Sequence, residues 1–222
     1  MGSGSRFLIY KKLLRYNSSM TYKTLISTST LSKNIENPNW VVLDCRFVLT
    51  APERGEENYL RSHIPGAAYA HLDRDLSSPI IPGVTGRHPW PSVEQAIEVF
   101  SRLGIDEKCQ VVVYDDAGGT LAAVRAWGML RWLGHEAVAV LNGGWQKWVN
   151  EERLVKNGNE THARREFKAK NVKTDWIINA DQVEKMRQDP ACLVLDVRAL
   201  ERYHGQNETI DPVAGHIPGA LN

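Results

Sequence analysis

The residues best placed to do chemistry form one short loop, Asp115-Asp116-Ala117-Gly118-Gly119-Thr120, between the apolar run QVVVYD (110–115) and the segment GGTLAAVRAWGMLRWLG (118–134). A small-residue loop leading from the C-terminal end of a strand into a helix is where parallel α/β folds place ligands. Its backbone N–H groups favour an anion. A cysteine opening such a loop would be held as a thiolate of lowered pKa. Here two aspartates open it. A carboxylate cannot do that nucleophile's work and would repel an incoming anion, so Asp115 and Asp116 are expected to cap the loop and the helix. The three cysteines, Cys45, Cys109 and Cys192, are widely spaced and contain no Cys-x-x-Cys pair. They suggest neither a disulfide framework nor a zinc site. They read as small buried apolar residues in a reducing compartment.

The elements around that loop are organised by a repeat. WVVLDCR (40–46) and CLVLDVR (192–198) are apolar runs that end in Leu-Asp-x-Arg, and HIPGA follows each of them. His63 lies 19 residues after Asp44, and His216 lies 20 residues after Asp196. Two motifs at matched spacing make an internal duplication. Asp44 and Asp196, closing their strands, suit acceptance of loop N–H hydrogen bonds, with Arg46 and Arg198 as ion-pair partners. His63 and His216 are expected to hold the Pro-Gly reversals that follow them.

Between the two copies, strands alternate with helices. WVVLD and QVVVYD are short β-branched runs typical of buried strands. SVEQAIEVFSRLG (92–104) predicts a helix with Ser92 as N-cap, Gln95 completing a capping box and Gly104 ending it. Segment 118–134 predicts a second helix. AVAVLNGG (137–144) predicts a strand entering a tight turn, and WQKWVNE the start of a third helix. This order indicates an α/β fold, with a mostly parallel sheet flanked by helices. The first domain is expected at 20–150. Residues 151–175 are polar and aperiodic and read as a linker. A second, homologous domain is expected to begin at 176 and run to 222, opening with a helix over NADQVEKMRQD (179–189), Asn179 as its N-cap, and continuing into the strand LVLD.

The 222 residues are 42% hydrophobic and 24% charged, with a formal net charge of +1. Nothing in that balance points to nucleic acid or a membrane surface. No apolar run approaches the roughly 18 residues a span requires. Residues 1–19 carry Arg6, Lys11, Lys12 and Arg15 and no acidic residue. They read as a leader or upstream extension, or alternatively as an organelle-targeting peptide, with Met20 resembling a natural start.

The paired LDxR and HIPGA segments, GRHPWPS (86–92), VVVYDDAGG (111–119) and VLNGGWQKW (140–148) together resemble the tandem rhodanese-type sulfurtransferases, a group that includes thiosulfate and 3-mercaptopyruvate sulfurtransferases. The resemblance extends over residues 25–222. It implies two homologous rhodanese-like α/β domains facing across a cleft. The N-terminal domain of such proteins is usually inactive, and often has Asp where the active domain has cysteine. The C-terminal domain carries its cysteine at the start of a Cys-Gly-Ser-Gly-like loop. That cysteine takes a sulfane sulfur from thiosulfate or 3-mercaptopyruvate as a persulfide and passes it to a thiophilic acceptor such as cyanide or a thiol.

Asp115 looks like the replacement. It lies 52 residues after His63, so the matching loop of the second repeat would fall past residue 222. The chain is therefore expected to lack the nucleophile and to be inactive alone. Cys192 stands at the wrong end of its domain to substitute. Arg202, in ERYHG, matches the family arginine that binds the donor's anionic group, a task suited to a planar guanidinium. Arg87 and Thr85 are expected to line the same cleft. Asp73 (in HLDRD) and His88 (in GRHPW) match first-domain residues that orient or protonate reacting groups in mercaptopyruvate-type members. Those members carry a further arginine shortly before the second GHIPG. None lies between Arg202 and His216 here, a departure that leans toward thiosulfate.

The implied partners are a small anionic sulfur donor, a thiol or cyanide acceptor, and a separate C-terminal fragment that completes the second domain. No metal, cofactor, nucleic acid or membrane is implied. The expected compartment is the cytoplasm, or the mitochondrion if the leader is a transit peptide. The competing reading is a non-catalytic rhodanese-fold binding or regulatory module.

Overall fold

The computed structural model describes residues 20–222, so the basic leader expected at 1–19 lies outside the described residues. The chain divides into two compact units, the first ending at Val172 and the second spanning Lys173–Asn222.

In the first unit, β1 (Leu25–Ile26), β2 (Trp40–Asp44), β3 (Ala67–Tyr69), β4 (Gln110–Tyr114) and β5 (Val138–Leu141) form one sheet in the order β1-β5-β4-β2-β3. Every pairing is parallel. Such sheets are buried on both faces, which is why β2 and β4 read as unbroken apolar runs. Val41, Leu43, Val111, Val113, Val138 and Val140 join Phe100 of α3 (Val93–Arg102) and Met129 and Leu130 of α4 (Ala122–Trp132) in one core cluster. Val42, Val112, Tyr114, Ala139 and Leu141 join Leu31 of α1 (Thr28–Asn34) and Trp148 of α5 (Gly144–Asn150) in the other. Between β2 and β3 lies α2 (Arg54–Arg61), which buries Tyr59. The capping box expected on α3 is present: the Ser92 hydroxyl accepts from Gln95 N–H, and the Gln95 side chain accepts from Ser92 N–H.

The stretch expected as a linker is, as far as Val172, a strap on the first unit. Phe167 is buried against Phe100, with ring centroids 5.6 Å apart. Arg165 and Phe167 donate their N–H groups to the carbonyl and hydroxyl of Ser101, and Lys170 donates to Leu133 O. A strap that follows neither a helix nor a ladder leaves no periodic signal, so its composition resembles that of a linker.

The second unit holds a 3-10 turn at Thr174–Trp176, α6 (Ala180–Met186) and the short α7 (Leu200–Tyr203). Asn179 caps α6, and Gln182 returns the bond. The expected strand LVLD is not a strand: Leu195 makes one isolated parallel bridge, to Leu221. A ladder needs extended neighbours, and among the described residues of this unit 194–196 meets only that one. Its apolar side chains are accordingly open, with Leu193 63%, Leu195 60% and Val197 93% exposed.

Candidate functional site

The chain leaves β2 toward β3 on one side of the sheet and leaves β4 toward β5 on the other. Adjacent strands whose connections diverge open a crevice at their C-terminal ends, the usual ligand position in such sheets. Asp44 ends β2 there, and Asp115 follows β4.

Asp115 turns its carboxylate into its own loop. Oδ1 accepts from the N–H groups of Ala117 (2.9 Å) and Gly119 (2.7 Å), and Oδ2 from those of Leu121 (3.0 Å) and Ala123 (3.1 Å). The residue is buried. Leu121, at the N-cap of α4, has no side chain that can cap, so Asp115 caps the helix from six residues away. The cap expected here therefore takes the form of a filled anion cradle. Closing it requires glycine nearby. Gly144 has φ +55°, and a Cβ on it would lie 2.4 Å from Asp115 O. Trp145 N–H donates to that same carbonyl at 2.9 Å. Asp116 beside it has its carboxyl pushed up, chiefly by burial and then by the Asp115 charge.

At the end of β2, Arg46 grips Asp44 with Nε and Nη2 (2.7 Å from Nη2 to Oδ2), while Arg46 N–H donates to Oδ1 at 3.0 Å. The same Nη2 donates to Ser62 O at 2.6 Å, and the guanidinium lies over the Trp145 ring at 4.3 Å. Tyr114 OH donates to Asp44 Oδ2 at 2.6 Å and accepts from Ile64 N–H at 3.2 Å. Burial, then the Asp44 charge, push that hydroxyl well above its ordinary range, so it remains a donor. His63 stacks on Tyr59 at 4.3 Å, with Nδ1 2.8 Å from Tyr59 O.

The second unit repeats this knot. Arg198 grips Asp196 (2.6 Å), its Nη2 donates to Gly215 O (2.5 Å), and its N–H donates to Asp196 Oδ1 (3.0 Å). His216 stacks on Tyr203 at 3.8 Å, with Nδ1 2.7 Å from Tyr203 O. The Tyr59 and Tyr203 hydroxyls each donate to the alanine carbonyl of their own HIPGA motif, Ala67 and Ala220. The Asp196 carboxyl is held down to about 2, first by the Arg198 side chain. The expected Asp–Arg pairs are thus present in both copies, whereas each histidine ring meets the tyrosine ahead of it and not the Pro-Gly turn, whose alanine carbonyl is held by the tyrosine hydroxyl. The two tyrosines went unread, because Tyr59 precedes its histidine by 4 residues and Tyr203 by 13.

The first unit brings Asp73 and His88 together. His88 Nδ1 lies 3.0 Å from Asp73 Oδ1, without hydrogen-bond alignment. The Phe47 ring stands edge-on to both His88 (5.9 Å) and His71 (5.4 Å). The His88 pKa is lowered, chiefly by burial. Asp73 opposes that shift, while the Arg125 and Arg87 charges reinforce it. The ring is therefore neutral at pH 7. Arg87 adjoins His88 in the chain. Thr85 accepts from Ile81 N–H at 2.9 Å and so belongs to the turn before it. Arg125 was not singled out from the sequence, since it reads as an ordinary helix residue.

Arg202 lies in the second unit. It spends Nε on Glu208 (3.0 Å) and Nη2 on Asp211 (2.5 Å). The acidic loop 205–215 thus presents it already paired. Cys45 and Cys109 are fully buried, and burial pushes both thiols up. Cys109 precedes β4, at the opposite end of that strand from the Asp115 loop. Cys192 is partly exposed and lies ahead of the bridge at Leu195. Among the described residues no three His, Cys, Asp or Glu side chains converge as a metal site, and no helix is long and apolar enough to cross a membrane.

Residues 27–151 match the family model for a rhodanese-like domain. The chain is 40% identical over 202 residues to a probable 3-mercaptopyruvate sulfurtransferase of Pseudomonas aeruginosa, covering 90% of this chain and 70% of that protein. It is 33% identical over 204 residues to a putative thiosulfate sulfurtransferase of Mycobacterium tuberculosis, with the same two coverages. Its fold superposes with a TM-score of 0.75 on the crystal structure of SseA from Escherichia coli, a 3-mercaptopyruvate sulfotransferase. That match has 27% identity and covers 90% of this chain and 74% of that one.

Proposed function

The chain belongs to the rhodanese-like family of its sulfurtransferase relatives, and from that membership we propose that it forms the N-terminal domain and the opening of the catalytic domain of a tandem sulfurtransferase. The observation that carries the reading is the knot of Asp, Arg, Tyr and His built twice, around Asp44 and around Asp196. Two copies of one structural unit support two homologous domains. Among the described residues the cradle loop belongs to the first copy, where Asp115 fills it.

The reaction is transfer of a sulfane sulfur from a small anionic donor, thiosulfate or 3-mercaptopyruvate, to cyanide or a thiol. A thiolate attacks the donor sulfur, and the bond to the donor breaks with its electron pair leaving on sulfite or on the pyruvate carbon. The resulting persulfide gives its outer sulfur to the acceptor, which restores the thiolate. None of Cys45, Cys109 and Cys192 stands in a cradle loop, which supports a sulfur-bearing cysteine outside these residues.

The contribution of this chain is His88, Asp73, Arg87 and Arg202. Neutral His88 beside Asp73 accepts or returns a proton at the reacting group. In the first unit Arg87 adds positive charge beside His88; in the second, Arg202 is the arginine that takes the donor's anionic group, exchanging one of its carboxylate partners for it. The names of the relatives divide between the two donors, and the absence of arginine between Arg202 and His216 favours thiosulfate.

Both donors, assayed with cyanide, test the reading. The 222-residue chain is expected to show no transfer, and the same chain continued through a loop cysteine to show it. Transfer by the 222-residue chain that is lost on changing one of its three cysteines would overturn the proposal. The filled cradle favours a second reading, a rhodanese-fold binding or regulatory module. A continued chain that carries the loop cysteine, binds a partner and transfers no sulfur would select it.

A further inference from the structure

We propose that Arg125 is the positioning residue of the Asp73–His88 pair, its guanidinium strapping both ends of the loop that carries them to α4. Nε donates to Leu76 O at 2.7 Å, on the Asp73 side of the loop. Nη2 donates to His88 O and Pro89 O, both at 2.9 Å, on the other side. One planar group thus fixes the separation of two segments that are 12 residues apart in sequence. The fork geometry of arginine suits this, and a lysine's single ammonium does not. The loop closes on itself beside the strap, where Ser78 N–H donates to Pro89 O at 3.0 Å.

The way Arg125 is satisfied sets it apart. A half-buried cation is ordinarily matched by a carboxylate, yet among the described residues no carboxylate pairs with Arg125. Its partners are three loop carbonyls and the face of Trp90, 5.0 Å from the guanidinium carbon. Its positive charge is therefore not cancelled locally. The charged groups facing His88 are Asp73 and Arg87 from its own loop and Arg125 from α4. Phe47 packs on the ring from the segment after β2 and also meets His71 edge-on. Arg125 and Arg87 oppose protonation, and Asp73 favours it. Arg125 therefore holds the ring in place and keeps it neutral.

The consequence for catalysis rests on the proposed role of His88, but the positioning itself is testable without turnover. The ring titration of His88, assigned through His88→Gln, and amide exchange at Ser78 would be followed by NMR in the 222-residue chain. Arg125→Met is expected to raise the His88 midpoint and to abolish protection at Ser78. Arg125→Lys keeps the charge but cannot span both ends, so it is expected to leave the midpoint low while Ser78 loses protection. Leu31→Ala, a destabilising control in the core cluster on the other face of the sheet, should move neither. An unmoved His88 titration with Ser78 still protected in Arg125→Met would overturn the proposal. In a continued, active chain, Arg125→Met should shift the limb of the kcat–pH profile that His88→Gln removes, with KM for the donor unchanged. A shifted titration with unchanged turnover would leave the strap standing and remove the catalytic role of the pair.

Discussion

Asp115 supplies within one side chain what a bound anion would otherwise bring to its loop. Four backbone donors and a helix N-terminus depend on it. Asp115→Ala leaves those N–H groups buried and unpaired, and is expected to cost about 3 kcal/mol or more in a urea unfolding curve. Added sulfate should recover part of that loss, stabilising the variant by more than it stabilises the parent chain. Tyr114→Phe strands Ile64 N–H and removes a donor from Asp44, a cost of about 1–3 kcal/mol by the same measurement. The Asp44–Arg46 knot was legible in the sequence because the chain writes its motif twice. Asp115 was legible as a cap because its loop lies between a strand and a helix. Arg125 was not, since its partners are carbonyls, and any residue type contributes those equally.

The elements differ in how much their sequence alone determines them. Helix α3 announces its start through the Ser92–Gln95 capping box and its end through Gly104, and β2 and β4 declare themselves as β-branched runs buried on two faces. The two-residue β1 and three-residue β3 are too short to carry a period. The 153–172 strap is held by scattered hydrogen bonds and one phenylalanine. LVLD carries the same pattern as WVVLD yet forms no strand, because pattern supplies only one side of a ladder. Phe100→Ala, which opens the α3 core beside Phe167, should lower stability by about 3–5 kcal/mol in thermal or urea melts. Hydrogen exchange should separate the two copies: the amides of Val111, Val112 and Val113 should be the slowest in the chain, and those of 194–196 fast. Equal protection in both copies would mean that the second segment is paired after all.

For the whole molecule, three histidines of the first unit set a pH dependence of one sign. Burial lowers the pKa values of His88, His135 and His162 below the ordinary 6.5. In that window the unfolded chain binds more protons than the folded one, so unfolding free energy rises with pH. Stability is complete above about pH 6.5 and is lost as the pH falls toward the folded-state values. Melting temperatures at pH 5, 6, 7 and 8 should increase along that series and level off above 7. A flat or reversed series would show that the rings are not held neutral.

The two knots also bridge chain segments of very different length. Tyr203 and His216 meet as closely as Tyr59 and His63, although the acidic loop 205–215 separates the former pair. The anchor points are fixed by stacking, an arginine and a carbonyl, so the span between them is free to lengthen. Evolution can therefore rewrite that span, and with it the charges that face Arg202, as a cassette whose insertion leaves the surrounding architecture untouched.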